Sequence, residues 1–242
     1  RLGLPDLRGY GDSGKPPGDP DHAHYTKRRV AADLVGLMRR LGHERFFVAA
    51  HDRGARVAHR LALDHPQRVA RLAVIDIAPT LDMYAATDMA FARAYYHWFF
   101  LIQPAPLPER LIGGDPLFYL HKSLGGWGSQ GLGHIEPQAL ADYERCFCVP
   151  ETIHAACEDY RASAGIDLEH DRESRAAGER IACDLLVLWG ERGVVQRQFD
   201  PMALWRAQCA GKVSGWAMPA GHFIPEELPE ETARALGEFF GG

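Results

Sequence analysis

The chain has 242 residues, of which 46% are hydrophobic and 24% charged, with a formal net charge of −5. This is an ordinary globular composition, large enough for one domain or a core with an insert, and its mild acidity gives no reason to expect nucleic acid or a membrane surface as a partner. No apolar run approaches the roughly 20 residues of a membrane span. The five cysteines (146, 148, 157, 183 and 209) show neither metal spacing nor an even framework, so reduced thiols are expected. The first residue is Arg rather than Met, and the expectation is a native start that is processed, cut or missing.

Residues Arg1 to Leu7 are expected to form a strand, although Gly3 and Pro5 argue against a central one. Arg8 to Pro17 (RGYGDSGKPP) is a Gly/Pro-rich loop. Its Gly9-x-x-x-x-Gly14-Lys15 imitates a phosphate-binding loop, but Pro16 follows where Ser or Thr is required, so no nucleotide site is read here. His22-Ala23-His24 lacks further ligands at zinc spacing and is read as a solvated loop. Thr26 to Leu41 is an amphipathic helix with Val30, Leu34, Leu37, Met38 and Leu41 on one face, Lys27, Arg28, Arg39 and Arg40 off it, and Gly42 as its stop.

Phe46-Phe47-Val48-Ala49 is a short apolar strand, and Gly54 to Arg60 continues as a helix that closes at His65-Pro66. Leu72 to Ile75 is a second buried strand ending at Asp76. Helix, strand, helix, strand implies a parallel sheet covered by helices. From Ile77 to about Gly178 the βα rhythm stops and aromatics cluster (Tyr84, Phe91, Tyr95, Tyr96, Trp98, Phe99, Phe100), which reads as an inserted helical cap. Within it, Gly125-Gly126-Trp127-Gly128 with Gly131 and Gly133 reads as a surface connector. The β pattern returns at Asp184 to Trp189, then Val213 to Met218. The loop Pro219 to Phe223 follows, and Glu230 to Phe240 closes the chain as a helix with Ala233, Leu236, Phe239 and Phe240 inward. The expected division is a core over 1–80 and 179–242 with a cap over 81–178.

The chemistry concentrates between the first apolar strand and its helix. Ala50-His51-Asp52-Arg53-Gly54 has the layout of a nucleophile elbow, a strained strand-to-helix turn with small flanking residues, and carries Asp where Ser often stands. The helix N-terminus directs free N–H groups at Asp52, and Arg53 and Arg56 add two positive charges within the first turn. All three effects are expected to keep Asp52 ionised, which suits a nucleophile rather than a proton donor. Asp76 and His222 also follow predicted strands. In an open parallel sheet the strand C-termini share one edge, where ligands bind, so the three form a candidate nucleophile, acid and base. Glu191, after the next strand, is the fallback acid.

Asp6 to Ser13 (DLRGYGDS), His51 to Arg56 (HDRGAR), Asp76 to Thr80 (DIAPT), Tyr95 to Trp98 (YYHW), Cys157 to Arg161 (CEDYR) and Gly221 to Phe223 (GHF) together resemble the fluoroacetate (haloacetate) dehalogenases of the α/β-hydrolase superfamily. The likeness runs from about Asp6 to the C-terminus and implies an α/β-hydrolase fold, a mostly parallel sheet with a helical cap insert. It implies Asp52 as nucleophile, His222 as the base oriented by Asp76, and Arg53 and Arg56 on the substrate carboxylate. It assigns His97, Trp98 and Tyr160 to the departing halide. It also implies a haloacid substrate, no metal or organic cofactor, and a cytoplasmic homodimer. Two departures stand out. Ala50 replaces the usual Gly at the elbow, and nothing before Asp6 supplies the first strands or the His-Gly loop that gives a second oxyanion donor. The expectation is therefore a longer native protein or a fragment, one that folds poorly alone with an exposed edge at the Phe46 strand. The alternatives are an epoxide hydrolase of the same fold, using Tyr95, Tyr96, Tyr143 or Tyr160 as donors, and an inactive or truncated hydrolase-fold protein.

Overall fold

A computed structural model describes residues 2–241. In chain order the elements are a short 3-10 turn, Ala23–Tyr25, then α1 (Lys27–Arg40), β1 (Phe46–His51), α2 (Asp52–Asp64) and β2 (Val69–Ile75). Eight helices follow without an intervening strand: α3 (Thr80–Ala85), α4 (Met89–Ala94), α5 (Tyr96–Phe100), α6 (Leu107–Gly114), α7 (Pro116–Leu124), α8 (Pro137–Phe147), α9 (Pro150–Ala164) and α10 (Ile166–Ala176). The core resumes with β3 (Asp184–Gly190), α11 (Val194–Gln198), α12 (Pro201–Gln208), β4 (Val213–Met218), α13 (Ile224–Glu227) and α14 (Pro229–Gly241).

The four strands lie in sequence order, β1-β2-β3-β4, and every pairing is parallel. Register aligns their C-terminal ends, with His51 beside Ile75, Ile75 beside Leu188, and Gly190 beside Met218. β3 is buried along nearly its whole length, as expected of an inner strand covered on both faces. Leu72, Val74, Leu185 and Val187 point to one face and pack on Ala55, Ala58, Leu61 and Trp205. Ala73, Ile75, Leu186 and Leu188 point to the other face and meet Met218, Ile224 and Ala235. The period-2 alternation of apolar side chains thus feeds two helical layers. The inserted helices hold a separate cluster around Phe91, Tyr95, Trp98 and Tyr160.

Several expectations need correction. Residues 2–7 form no strand, and Arg1 lies outside the described residues. Gly3 and Pro5 weaken strand pairing, as their propensities foretold. Leu37 and Leu41 of the α1 region are exposed, while Lys27 is buried because its ammonium meets Asp159, Asp167 and Ser163. In α14 the inward stripe is Thr232, Ala235, Leu236, Phe239 and Phe240, an i, i+3, i+4, i+7, i+8 pattern, and Ala233 faces out. Lys15 is occupied by the carbonyl oxygens of Gly11 and Ser13, which closes the loop on itself. His22 and His24 bond Glu158 and the Pro17 carbonyl rather than each other.

Candidate active site

Asp52 is the first residue of α2 and has φ +44°, a left-handed conformation costly for most residues and tolerated by Asp. The turn therefore thrusts its carboxylate out beyond the end of β1. The small neighbours leave more room than the motif suggests: a Cβ on Gly54 would stand 3.9 Å from that of Ala50, an ordinary contact.

Asp76 follows β2, also at positive φ (+49°), and is 1% exposed. Its Oδ1 accepts the Gly190 N–H at 2.9 Å, and its Oδ2 lies 2.6 Å from His222 Nδ1. This fixes the tautomer, since the carboxylate accepts and Nδ1–H donates. His222 Nε2 then faces Asp52 Oδ2 at 3.8 Å. Glu191 is exposed and makes no contact with His222, so the fallback acid is set aside. The loop bearing His222 sits against the end of β3 so tightly that a Cβ on Gly190 would come within 2.0 Å of the Gly221 carbonyl oxygen.

The electrostatics follow from burial and pairing. Burial alone would raise the Asp52 pKa, but the proton and charge of His222, with His51 and Arg56 adding to it, hold Asp52 far below the usual carboxylate range. Burial alone would lower His222, but Asp52 and Asp76 outweigh it and push His222 up to about 10. The resting pair is thus carboxylate and imidazolium.

The two arginines differ. Arg56, 4% exposed, donates through Nη1 to the Ala78 carbonyl and Thr80 Oγ1 and lies 4.7 Å above the Trp98 ring. Its Nε has no partner among the described residues. Burial lowers its pKa and the nearby Asp52 charge raises it, while the guanidinium stays protonated in any case. Arg53 turns instead to α9, donating Nε to Asp159 Oδ2 (2.5 Å) and Nη2 to the Asp159 carbonyl (3.0 Å) and Ser163 Oγ (2.6 Å), above the Tyr160 ring at 4.1 Å. The expectation that Arg53 helps to ionise Asp52 therefore gives way: its charge is met by Asp159, and Arg56 is the arginine acting on the nucleophile.

The three aromatic donors assigned from sequence are all buried. The His97 ring lies 5.6 Å from that of Tyr160, and its Nδ1 is buried without a partner. Burial pulls His97 down to about 3, so it is neutral. Among the described residues, neither the Trp98 indole N–H nor the Tyr160 hydroxyl bonds a protein group, and the Asp52 charge acts on both His97 and Tyr160. Tyr143 is elsewhere, its hydroxyl bonded to Glu226.

Four contributors were not legible as site residues. His51 donates Nε2–H to the His222 carbonyl at 2.8 Å, and its ring lies 4.6 Å from that of His222. Trp127 belongs to no plain surface connector: its carbonyl accepts the His222 N–H, and its ring contacts those of His97 and His222 at 4.6 and 5.5 Å. The adjacent glycines were the only sequence signal of the unusual turn, in which Trp127 takes φ +53°. Glu227 accepts from Gly221 N–H, Phe223 N–H and Ser129 Oγ, tying the His222 loop to the Trp127 loop. Asp159 holds Arg53.

A strained aspartate elbow at the end of a parallel strand, with a His–Asp pair on the neighbouring strand ends, is the arrangement of a hydrolase. The sequence profile of the alpha/beta hydrolase fold matches residues 1–132, and the chain belongs to that family. Within it the chain is similar to the fluoroacetate dehalogenase of Burkholderia sp, 45% identical over 97% of this chain and 76% of the relative. It is also 33% identical to epoxide hydrolase A of Mycobacterium tuberculosis, over 98% of this chain and 81% of that one. A solved structure from Nostoc sp PCC 7120, provisionally assigned to the alpha/beta hydrolases, superposes with a TM-score of 0.94 at 57% identity, covering 97% of this chain and 79% of its own.

Proposed function

We propose that this hydrolase cleaves the carbon–halogen bond of haloacetates such as fluoroacetate and chloroacetate, giving glycolate and halide through an ester on Asp52. The observation that carries the reading is the buried guanidinium of Arg56 beside Asp52, with an unpartnered Nε. A buried cation next to a carboxylate nucleophile offsets the repulsion that an anionic substrate would otherwise meet and fixes its carbon for in-line attack. A neutral substrate has no use for it.

In the first step an Asp52 oxygen attacks the α-carbon, the O–C bond forms as the C–X bond breaks, and halide leaves with the bonding pair. His97, Trp98 and Tyr160 would hydrogen-bond the departing halide. Donors to a charged partner contribute about 1.5–3 kcal/mol each. Three would lower the barrier by about 4–9 kcal/mol, or roughly 10³–10⁶ in rate, as an upper bound because such effects are not additive. In the second step His222, having lost its proton, takes one from a water that attacks the ester carbonyl. The Arg53 backbone N–H at the start of α2 is a donor for the resulting oxyanion. Collapse returns the Asp52 carboxylate and releases glycolate, whose hydroxyl oxygen came from Asp52.

The helices over 81–178 would act as the cap, since they bring in all three halide donors. The reading keeps the cytoplasmic homodimer that the family resemblance implies, and five free cysteines fit a reducing compartment. The second reading, an epoxide hydrolase, is favoured by buried Tyr95 and Tyr160 near Asp52 and by likeness to proteins of that name. The two separate in one assay. Fluoride and chloride release from the two haloacetates, with no diol formed from a panel of epoxides, supports dehalogenation. Diol formation without halide release would replace it.

A further inference from the structure

Arg53 enters the site from the residue after the nucleophile, yet its guanidinium is held by a helix more than a hundred residues away. The holder is Asp159 of α9, 5% exposed and itself fully engaged. Its Oδ2 accepts from Arg53 Nε at 2.5 Å and from the Tyr10 hydroxyl at 2.8 Å. Its Oδ1 accepts from Lys27 Nζ. Lys27 is shared in turn with Ser163 Oγ (2.9 Å) and Asp167 Oδ2 (3.4 Å). Arg53 Nη2 is taken by the Asp159 carbonyl and Ser163 Oγ. Among the described residues this leaves Nη1 as the nitrogen of that guanidinium with no partner.

A lone buried aspartate on Arg53 would cancel the charge that a substrate carboxylate needs. Lys27 lessens this by taking the other carboxylate oxygen, so that Asp159 is shared between two cations. With Nε and Nη2 both held, the guanidinium has a fixed orientation, and its Nη1 has no protein partner among the described residues. We propose that Asp159, offset by Lys27, is a positioning residue that presents the Nη1 edge of Arg53 to the substrate carboxylate. The inference rests on the haloacetate reading and adds to it a remote residue that sets carboxylate affinity. The proximity of Tyr160, beneath the Arg53 guanidinium and next to Asp159 in sequence, means that the same turn of α9 fixes both the carboxylate and the halide ends of the site.

The test is a double-mutant cycle on the full chain, with chloroacetate as substrate and halide release as the readout: wild type, D159N, R53Q and R53Q/D159N. If Asp159 acts through Arg53, D159N raises KM roughly 10- to 100-fold, the loss of about one charge-assisted hydrogen bond, and changes kcat much less. In the R53Q background the same substitution adds less than about threefold, because the group it positions is gone. A merely structural role for Asp159 would instead lower kcat and thermal stability equally in both backgrounds, and that result overturns the proposal, as does an unchanged KM in D159N. Should D159N fold poorly, S163A removes an acceptor of Arg53 Nη2 without stranding a charge. It is expected to raise KM roughly 2- to 10-fold with Arg53 present and not at all with R53Q. Absence of halide release by the wild type would defeat the haloacetate reading itself, whereas an active wild type with an additive cycle defeats only the role of Asp159.

Discussion

The charge state of His222 makes the two half-reactions respond differently to pH. In the resting site two carboxylates push His222 up to about 10, so at neutral pH it is an imidazolium. That suits alkylation, which needs only ionised Asp52, and Asp52 lies far below the usual carboxylate range. Alkylation turns Asp52 into a neutral ester and removes one of the two charges holding the proton, leaving Asp76 at 2.6 Å. Loss of that charge lowers the His222 pKa in the ester, while the remaining Asp76 carboxylate still favours the imidazolium. Hydrolysis then falls about tenfold for each pH unit below the His222 pKa in the ester, because it needs neutral His222. Alkylation stays flat between about pH 5 and 8. The covalent fraction at steady state should therefore grow as pH falls from 8 to 6, with turnover falling by up to about 100-fold over the same range. Rapid acid quenching under saturating chloroacetate, followed by intact-protein mass spectrometry, reads this fraction. An adduct fraction that stays constant or shrinks on acidification would refute the reasoning.

Further expectations concern single residues. Arg56→Lys keeps the charge but loses the planar donor edge, and should raise the KM for chloroacetate roughly 10- to 100-fold in steady-state halide assays. Gly190→Ala drives a Cβ to within 2.0 Å of the Gly221 carbonyl. The His222 loop must move, costing about 1–3 kcal/mol of stability and on the order of 10²-fold in kcat, which denaturant titration and turnover would register together. His59 is buried and held down to about 4, so the folded protein refuses a proton that the unfolded chain accepts below about 6.5. Its contribution to stability is present above 6.5 and lost as pH falls toward 4, at most about 1.4 kcal/mol per pH unit, and urea midpoints for His59→Gln should show a shallower acid limb.

How far the sequence reveals this site depends on chain distance. Asp52, Asp76 and His222 were legible because each closes or follows a strand, and parallel register brings strand ends to one edge whatever lies between. The Arg53 partnership was not legible, because Asp159 lies 106 positions away on an inserted helix whose packing no local pattern encodes. Trp127 sits in a glycine-rich turn that is surface-like in composition, and its role arises from a backbone carbonyl bonded to His222 N–H. The inward stripe of α14 was displaced because Ala233 is apolar without lying on the stripe that Thr232, Ala235 and Phe239 form. Lys27 lies off the apolar stripe of α1, as its charge implies, yet is buried because three oxygen-bearing side chains surround its ammonium, which no local pattern encodes.

The central claim is that carbon becomes bonded to Asp52 before water intervenes. The most direct measurement is intact and peptide-level mass spectrometry of His222→Ala after exposure to chloroacetate. Without the base, the ester should persist, with the protein heavier by one carboxymethyl group located on the peptide containing Asp52 and one halide released per site. An unchanged mass accompanied by continuing halide release would contradict covalent catalysis at Asp52.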